Sequence, residues 1–160
     1  MDFTFNVALG RGHELYERVR LNDPANSILR IIALAETGLQ DDDVLKDLDT
    51  LAAVLAGATN EVTNTGYARK VLTNADLSAP TIDDTDDQVT LDFPNQTWTP
   101  SAGDSWRKML VCYAPDSTAL ADATTIPITA HDLLDEDLDA IVPNGQLLTW
   151  ALPTGFLVCS

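Results

Sequence analysis

The sequence predicts a mainly β fold, α+β by element count: an antiparallel β-sandwich or a barrel-like pair of sheets, with one amphipathic helix. Three observations lead to this prediction. Short apolar segments separated by Pro, Gly, Asn or Asp recur after Gly57, as they do in sandwiches and small barrels. One stripe of apolar residues at helical spacing runs over about 43–56. A two-residue alternation near the amino terminus predicts an extended arm.

The amino-terminal segment is predicted to be an arm that takes part in assembly. Residues 1–26 form the arm and a closing turn at Asn22-Asp23-Pro24, and residues 27–160 form a single β-rich domain. The alternation over 3–9 is typical of a strand with one apolar face, which pairs with a sheet edge of a neighbouring subunit or of its own body. The residues expected at the assembly interface are Phe3, Phe5, Val7, Leu9 and Tyr16.

Between the arm and the body, Leu15, Tyr16 and Val19 have the spacing of one side of a short helix, although an extended conformation stays open. Residues 28–35 are almost continuously apolar and rich in β-branched side chains, which favours a central buried strand. The helical stripe that follows carries aspartates at its start and Gly57 at its end, as helix termini prefer. Its apolar residues are Val44, Leu45, Leu48, Leu51, Ala52 and Leu55.

The rest of the chain is predicted to be short strands. The turn-forming sequence Leu152-Pro153-Thr154-Gly155 suggests that residues 146–159 form a final hairpin. The candidate strands are 67–72, 89–93, 108–113, 125–129, 146–152 and 156–159.

The charge of the chain excludes two classes of partner. Nine Lys and Arg face 25 Asp and Glu, which gives a net charge of −16. Such a surface repels nucleic-acid phosphates and anionic membranes, since both are bound through clustered basic side chains. Residues 1–30 carry no net charge, so the whole excess lies in residues 31–160. A neutral arm on an acidic body indicates two surfaces with different roles.

No motif in the sequence meets the spacing that catalysis or metal binding requires. His131 precedes Asp132, and Ser117 is available as a nucleophile, but no nucleophile-elbow glycine pattern surrounds a serine. The acidic cluster 83–87 lacks the spacing, glycine and closing glutamate of a helix–loop–helix calcium site. The cysteines and histidines lack zinc-site spacing. We therefore expect a non-enzymatic protein without cofactor or metal, in which the tryptophans, Trp98, Trp106 and Trp150, are core residues rather than binding anchors.

Several short sequence segments spread along the chain resemble those of a group of small proteins encoded among the virion genes of tailed bacteriophages, and many of these phages infect actinobacterial hosts. None of these segments is a mechanistic signature, so the resemblance concerns a lineage and not a chemistry. The segments are Asp23-Pro24-Ala25-Asn26, Lys46-Asp47-Leu48-Asp49-Thr50-Leu51-Ala52-Ala53, Asn64-Thr65-Gly66-Tyr67-Ala68-Arg69-Lys70-Val71-Leu72-Thr73, Asp92-Phe93-Pro94-Asn95-Gln96-Thr97-Trp98-Thr99, Leu110-Val111-Cys112-Tyr113 and Ile126-Pro127-Ile128-Thr129-Ala130-His131-Asp132.

The resemblance implies a structural component of the virion, assembled in the host cytoplasm. The first expectation is a decoration or cement protein on the outer capsid, bound to the major capsid protein or other virion proteins and present as a homo-oligomer in the particle. A tail or tail-fibre component is the alternative, although fibre proteins tend to carry repeats or heptads that this chain lacks. A further alternative is an acidic host-takeover protein that binds and blocks a host protein, and a virion-borne hydrolase comes third.

Overall fold

A computed structural model describes residues 1–159 of the chain. Strands make up 31% of it and helices 16%, so the fold is mainly β. All strand pairs in its sheets are antiparallel, and the sheets pack together in a sandwich-like arrangement. No closed barrel is found among the described residues. The predicted fold class is therefore confirmed.

Residues 1–159 form three strands of seven to nine residues and seven strands of two to four residues. The strands are β1 (Phe3–Thr4), β2 (Ile28–Ala35), β3 (Lys70–Leu72), β4 (Thr81–Asp83), β5 (Gln88–Leu91), β6 (Gln96–Trp98), β7 (Trp106–Ala114), β8 (Ile126–Asp132), β9 (Leu148–Trp150) and β10 (Leu157–Cys159). The α-helices are α1 (Gly12–Arg20), α2 (Asp42–Leu45) and α3 (Leu51–Ala56), and single 3-10 turns lie at Asn6–Ala8 and Asp122–Thr124.

One large sheet organises the molecule. It has five strands in the order β1-β8-β7-β2-β3, while β10-β5-β4 and β6-β9 form two smaller sheets. β2 and β7 are paired along nearly their whole length, from Ile28 opposite Ala114 to Ala35 opposite Trp106. Their side chains alternate between the two faces of the sheet, as strand geometry requires.

The large sheet has an apolar core on each face. On one face, Leu29 and Ile31 of β2 pack with helix α1 and with the aromatic residues of the two smaller sheets, including Trp98, Trp150 and the adjoining Phe156. On the other face, a second cluster is covered by the arm, α2 and α3; its buried members are Phe5, Ile32, Leu34, Leu45, Leu51, Val54, Leu110, Cys112 and Ala130. The three tryptophans are all in the core, as expected.

The single helix predicted at about 43–56 is two short helices, α2 and α3. The carbonyl of Lys46 accepts a hydrogen bond from the backbone N–H of Asn6 (2.8 Å), so the arm occupies an acceptor that a continuous helix would use. Thr50 is extended, with φ −137°, and its hydroxyl oxygen accepts from the N–H of Ala53 (3.1 Å), which starts α3 with an N-cap. Leu45, Leu48, Leu51 and Leu55 of the predicted stripe still face one core, whereas Val44 is 45% exposed.

The arm folds back on its own body, which is one of the two outcomes predicted for it. Phe3 and Thr4 pair with Ala130 and Thr129 of β8. The strand predicted over 3–9 ends after two residues, because the chain turns into a 3-10 helix at Asn6–Ala8. The turn places Phe5 in the second core, where it is fully buried.

The final hairpin predicted at 146–159 is not formed. β9 pairs with β6, and β10 pairs with β5, so the turn at residues 152–155 carries the chain from one small sheet to the other. Strands β4 and β6 were not predicted, because each has only three residues and neither is an apolar run. Strands that are consecutive in the sequence pair with each other only when the edge of another strand does not pair with one of them instead.

Leu51→Ala should lower the free energy of unfolding by about 2–5 kcal/mol, because it empties a fully buried site between α3 and the large sheet. Leu21→Ala is the matched control, since Leu21 is 62% exposed, and it should change stability by less than about 0.5 kcal/mol. Urea unfolding followed by tryptophan fluorescence measures both. Equal effects would mean that α3 does not cover the second core.

Candidate functional site

The predicted interface residues divide between the core and the surface. Phe5 and Tyr16 are fully buried inside this chain, so in the folded protein they have no surface for a second chain. Phe3 and Val7 are half-buried against the second core. Leu9 is 60% exposed. Of the five, Leu9 has the most accessible surface, and its role in assembly stays a prediction.

The arm is held to the body by a buried lysine. Lys108 on β7 is 2% exposed, and its ammonium group pairs with Asp42 of α2 (3.0 Å) and with Asp132 of β8. It also donates to the carbonyl of Met1 (3.1 Å) and lies 5.4 Å from the ring centre of Phe3. Burial by itself would lower the pKa of Lys108, but the hydrogen bonds to Asp132 and Asp42 outweigh it and raise the pKa. One cation thus joins the sheet, a helix and the arm.

His131 completes the attachment of the arm. Its Nδ1 is 3.1 Å from a carboxylate oxygen of Asp2, and its Nε2 is 2.9 Å from the hydroxyl of Thr129. The order carboxylate, imidazole, hydroxyl is that of a catalytic triad. However, Thr129 is 2% exposed and its hydroxyl is closed to a substrate. Asp132 and Ser117, which the sequence offered as triad members, do not contact the ring: Asp132 pairs with Lys108, and Ser117 donates its N–H to Asn26.

The acidic cluster at Asp83–Asp87 is the turn between β4 and β5, and it is exposed. A carboxylate oxygen of Asp83 accepts from the N–H groups of Thr85 (2.9 Å) and Asp86 (3.3 Å), so the cluster satisfies its own backbone. Among residues 1–159, no three His, Cys, Asp or Glu side chains are grouped so as to hold a metal ion. Both cysteines are free thiols, and burial raises the pKa of Cys112 to about 12.

A second ion network lies at the opposite end of β2. Arg30, 4% exposed, donates to Asp122 (3.0 Å) and to the hydroxyl of Thr125 (3.2 Å). Asp122 also accepts from Arg69 (2.6 Å), which forms a bidentate pair with Glu61. The hydrogen bonds from Arg69 lower the pKa of Asp122. This network ties the 3-10 turn at Asp122–Thr124 to the large sheet.

The cations of the chain are used mainly inside it. Seven of the nine basic side chains form ion pairs with carboxylates of the same chain: Arg11, Arg18, Arg20, Arg30, Lys46, Arg69 and Lys108. Lys70 lies 5.1 Å from the ring centre of Trp98, and Arg107 donates to the carbonyl of Leu138. The surface is consequently dominated by unpaired carboxylates, and the charge it offers to a partner is negative.

One exposed surface, which we call the 134–149 surface, is not predicted from the sequence. Three large apolar side chains project there into solvent: Leu138 (70% exposed), Val142 (67%) and Leu147 (67%). Val142 and Leu147 also line a groove of about 310 Å³, together with Leu133, Leu134, Ile141, Pro143 and Leu148 among others. The signal that would have found this surface is a set of large apolar residues in a stretch otherwise rich in Asp, Pro, Asn and Gly.

No helix among residues 1–159 is both long and apolar enough to cross a membrane.

Phe5→Ala should lower the free energy of unfolding by about 3–5 kcal/mol, because a buried phenylalanine is removed from the second core. Leu9→Ala, in the same arm but exposed, should cost less than about 0.5 kcal/mol. Because the arm docks within one chain, the urea midpoint should not depend on protein concentration. A midpoint that rises with concentration would show that the arm is held by another copy instead.

Stability should fall as the pH drops from 7.5 to 5.5. Burial lowers the pKa of His131, so the unfolded chain takes up a proton first, near the ordinary value of about 6.5, and protonation favours unfolding. The loss from this group cannot exceed about 1.4 kcal/mol per pH unit. The lowered pKa values of Asp122 and Asp132 act in a separate window, where stability is lost as the pH falls below about 4.

Urea unfolding at each pH measures this effect. His131→Gln should flatten the dependence between pH 7.5 and 5.5, while His13→Gln, at an exposed position on α1, should leave it unchanged. A wild-type protein that becomes more stable on acidification over this range would contradict the assignment.

Comparison with known proteins finds no match: no family model, no curated protein and no solved structure matches the chain. The resemblance to virion proteins of tailed phages therefore stays a prediction. The candidate site is the 134–149 surface, where three apolar side chains project beside exposed carboxylates.

Proposed function

We propose that this chain is a non-enzymatic structural protein of a tailed-phage particle, which acts through protein–protein contacts as a decoration or cement protein on the outer capsid. The observation that carries the proposal is the combination of an internally paired set of cations with the exposed apolar 134–149 surface. Such a protein is soluble at high concentration, because its net charge keeps copies apart, and it keeps apolar side chains available for a partner.

The groups that could carry chemistry have structural roles instead. Lys108 and His131 hold the arm, and Arg30 and Arg69 hold the turn at Asp122–Thr124. Cys112 is fully buried, and burial keeps it in the unreactive thiol form. The hydroxyl of Thr129, which lies next to the ring of His131, is buried. These features support a structural role over an enzymatic one.

The partner in this proposal is the major capsid protein or another virion protein. Many copies in one particle also bring copies of this chain near one another, so a homo-oligomer on the particle is part of the proposal. Weak contacts suffice in that setting, because binding at several points of a lattice raises the overall affinity.

A second candidate is an acidic host-takeover protein that occupies a basic site on a host protein. The internal pairing of the cations favours it, since the surplus carboxylates are then free to imitate a nucleic-acid backbone. A tail component is a variant of the first proposal at another place in the particle. Location in infected cells separates all three.

Quantitative mass spectrometry of particles purified from infected cells should find the chain in a fixed ratio to the major capsid protein. The same ratio should hold in heads purified without tails, because a decoration protein is bound to the capsid shell. Presence in complete particles with loss from tailless heads would place it in the tail. A chain found in the lysate but missing from particles would contradict the structural proposal and favour the takeover protein.

A further inference from the structure

The exposed apolar side chains of the 134–149 surface are held in place by the backbone. Leu134 and Ala140 form an antiparallel bridge, which makes residues 134–140 a small hairpin with Leu138 near its tip. Ile141 exchanges two backbone hydrogen bonds with the buried Trp106 (2.8 and 2.9 Å). The N–H of Gly145 donates to the carbonyl of Pro100 (2.9 Å). The surface is thus preorganised, which reduces the ordering cost of binding.

The carboxylates beside these apolar residues form no ion pairs with cations of the described chain. Asp135 uses a carboxylate oxygen to accept from the N–H groups of Asp137 (2.9 Å) and Asp139 (3.0 Å), which fixes the hairpin. The side chains of Glu136, Asp137 and Asp139 are exposed. None of them takes part in an ion pair of the described chain.

The side chain of Arg107 contacts this hairpin through a hydrogen bond to its backbone. It is half-buried, and it donates to the carbonyl of Leu138 (3.3 Å) rather than to a carboxylate. The hairpin therefore combines an apolar tip with several uncompensated negative charges. A partner that covers the tip must also neutralise or tolerate those charges.

We propose that the 134–149 surface binds a protein segment that carries both apolar and basic side chains. The apolar side chains of the segment cover Leu138, Val142 and Leu147, and its lysines or arginines pair with Glu136 and Asp137. A second copy of this chain offers few free cations for that pairing, because Arg11, Arg18 and Arg20 on its neutral amino-terminal segment are already paired with Glu14 and Glu17 and the rest of the chain is acidic. This inference rests on the proposed function and adds the chemistry of the partner to it.

The full-length chain, labelled with ¹⁵N, can be titrated with a peptide in which lysine and leucine alternate. Matched peptides alternate lysine with serine, or glutamine with leucine, and so keep only the charge or only the apolar character. We expect amide shifts centred on residues 134–149 and tighter binding of the lysine–leucine peptide than of either matched peptide. Raising the salt concentration should weaken its binding, since the carboxylates are exposed.

Leu147→Ser should weaken binding of the lysine–leucine peptide about tenfold, the loss expected when most of a leucine contact is removed. Leu21→Ser is its control, because Leu21 is 62% exposed but lies at the end of α1. Asp137→Asn should weaken binding, and Asp84→Asn, in the β4–β5 turn, should not. All four positions are exposed, so the folded state is expected to persist, and the amide spectrum of each variant verifies it.

Three results would overturn the inference. The first is amide shifts centred on Asp83–Asp87, with equal binding of the lysine–serine peptide, which would mean attraction to any acidic turn. The second is equal weakening by Leu147→Ser and Leu21→Ser. The third is self-association that sedimentation detects and Leu147→Ser abolishes, which would make a second copy the occupant. None of these results bears on the copy number of the chain in particles, which tests the proposed function, so this inference and the proposed function can fail separately.

Discussion

Burial of β2 on both faces is the constraint on which the rest of the structure depends. All eight residues of Ile28–Ala35 are buried, and alternate side chains enter different cores. A strand buried in this way needs an apolar layer above it and another below it. The smaller sheets and helix α1 provide one layer, and the arm with α2 and α3 provides the other. Sheets of two or three short strands and helices of four or six residues are too small to be stable alone, so each layer depends on β2 for its stability.

The same burial explains the ion networks. Arg30, the third residue of β2, is buried, and a buried charged side chain is costly unless it is paired and hydrogen-bonded. Asp122, Thr125 and the carbonyl of Leu120 supply acceptors for one of its guanidinium nitrogens, while its buried Nε has no partner. Lys108, on the neighbouring β7, is likewise a buried cation, and it forms ion pairs with Asp42 and Asp132. Loss of Asp122, Asp42 or Asp132 would remove part of the compensation of a buried charge, so these pairs fix the positions of the segments that carry the carboxylates.

The sequence was informative where one physical requirement dominates. Residues 28–35 are apolar except for Arg30, and a β-branched run of this length is typical of a strand buried on both faces. The spacing of Leu15, Tyr16 and Val19 matches the helix α1, which buries all three. Prediction failed where distant segments compete for one backbone group. The bond from Asn6 to Lys46 breaks the predicted helix, and β6 takes β9 away from the expected hairpin. Neither partner lies near its target in the sequence, so local pattern has no means of showing the competition.

The candidate surface was hidden from sequence reasoning for a related reason. Net charge is a sum, and it does not say which charges are already paired. The structure pairs seven of the nine cations with carboxylates of the same chain, and Arg30, Arg69 and Lys108 among them hold the large sheet, a turn and the arm together, so the surface keeps an excess of unpaired carboxylates. An acidic surface is soluble but attracts no acidic partner, and its specificity must come from a place where charge and apolar contact occur together. Leu138, Val142 and Leu147 stand at such a place, beside free carboxylates on a hairpin that is fixed by its own hydrogen bonds. The acidic turn at Asp83–Asp87 carries similar charge, and one exposed apolar residue, Ile82, precedes it. Charge alone would make the two places equivalent, whereas the number of apolar side chains available for contact distinguishes them.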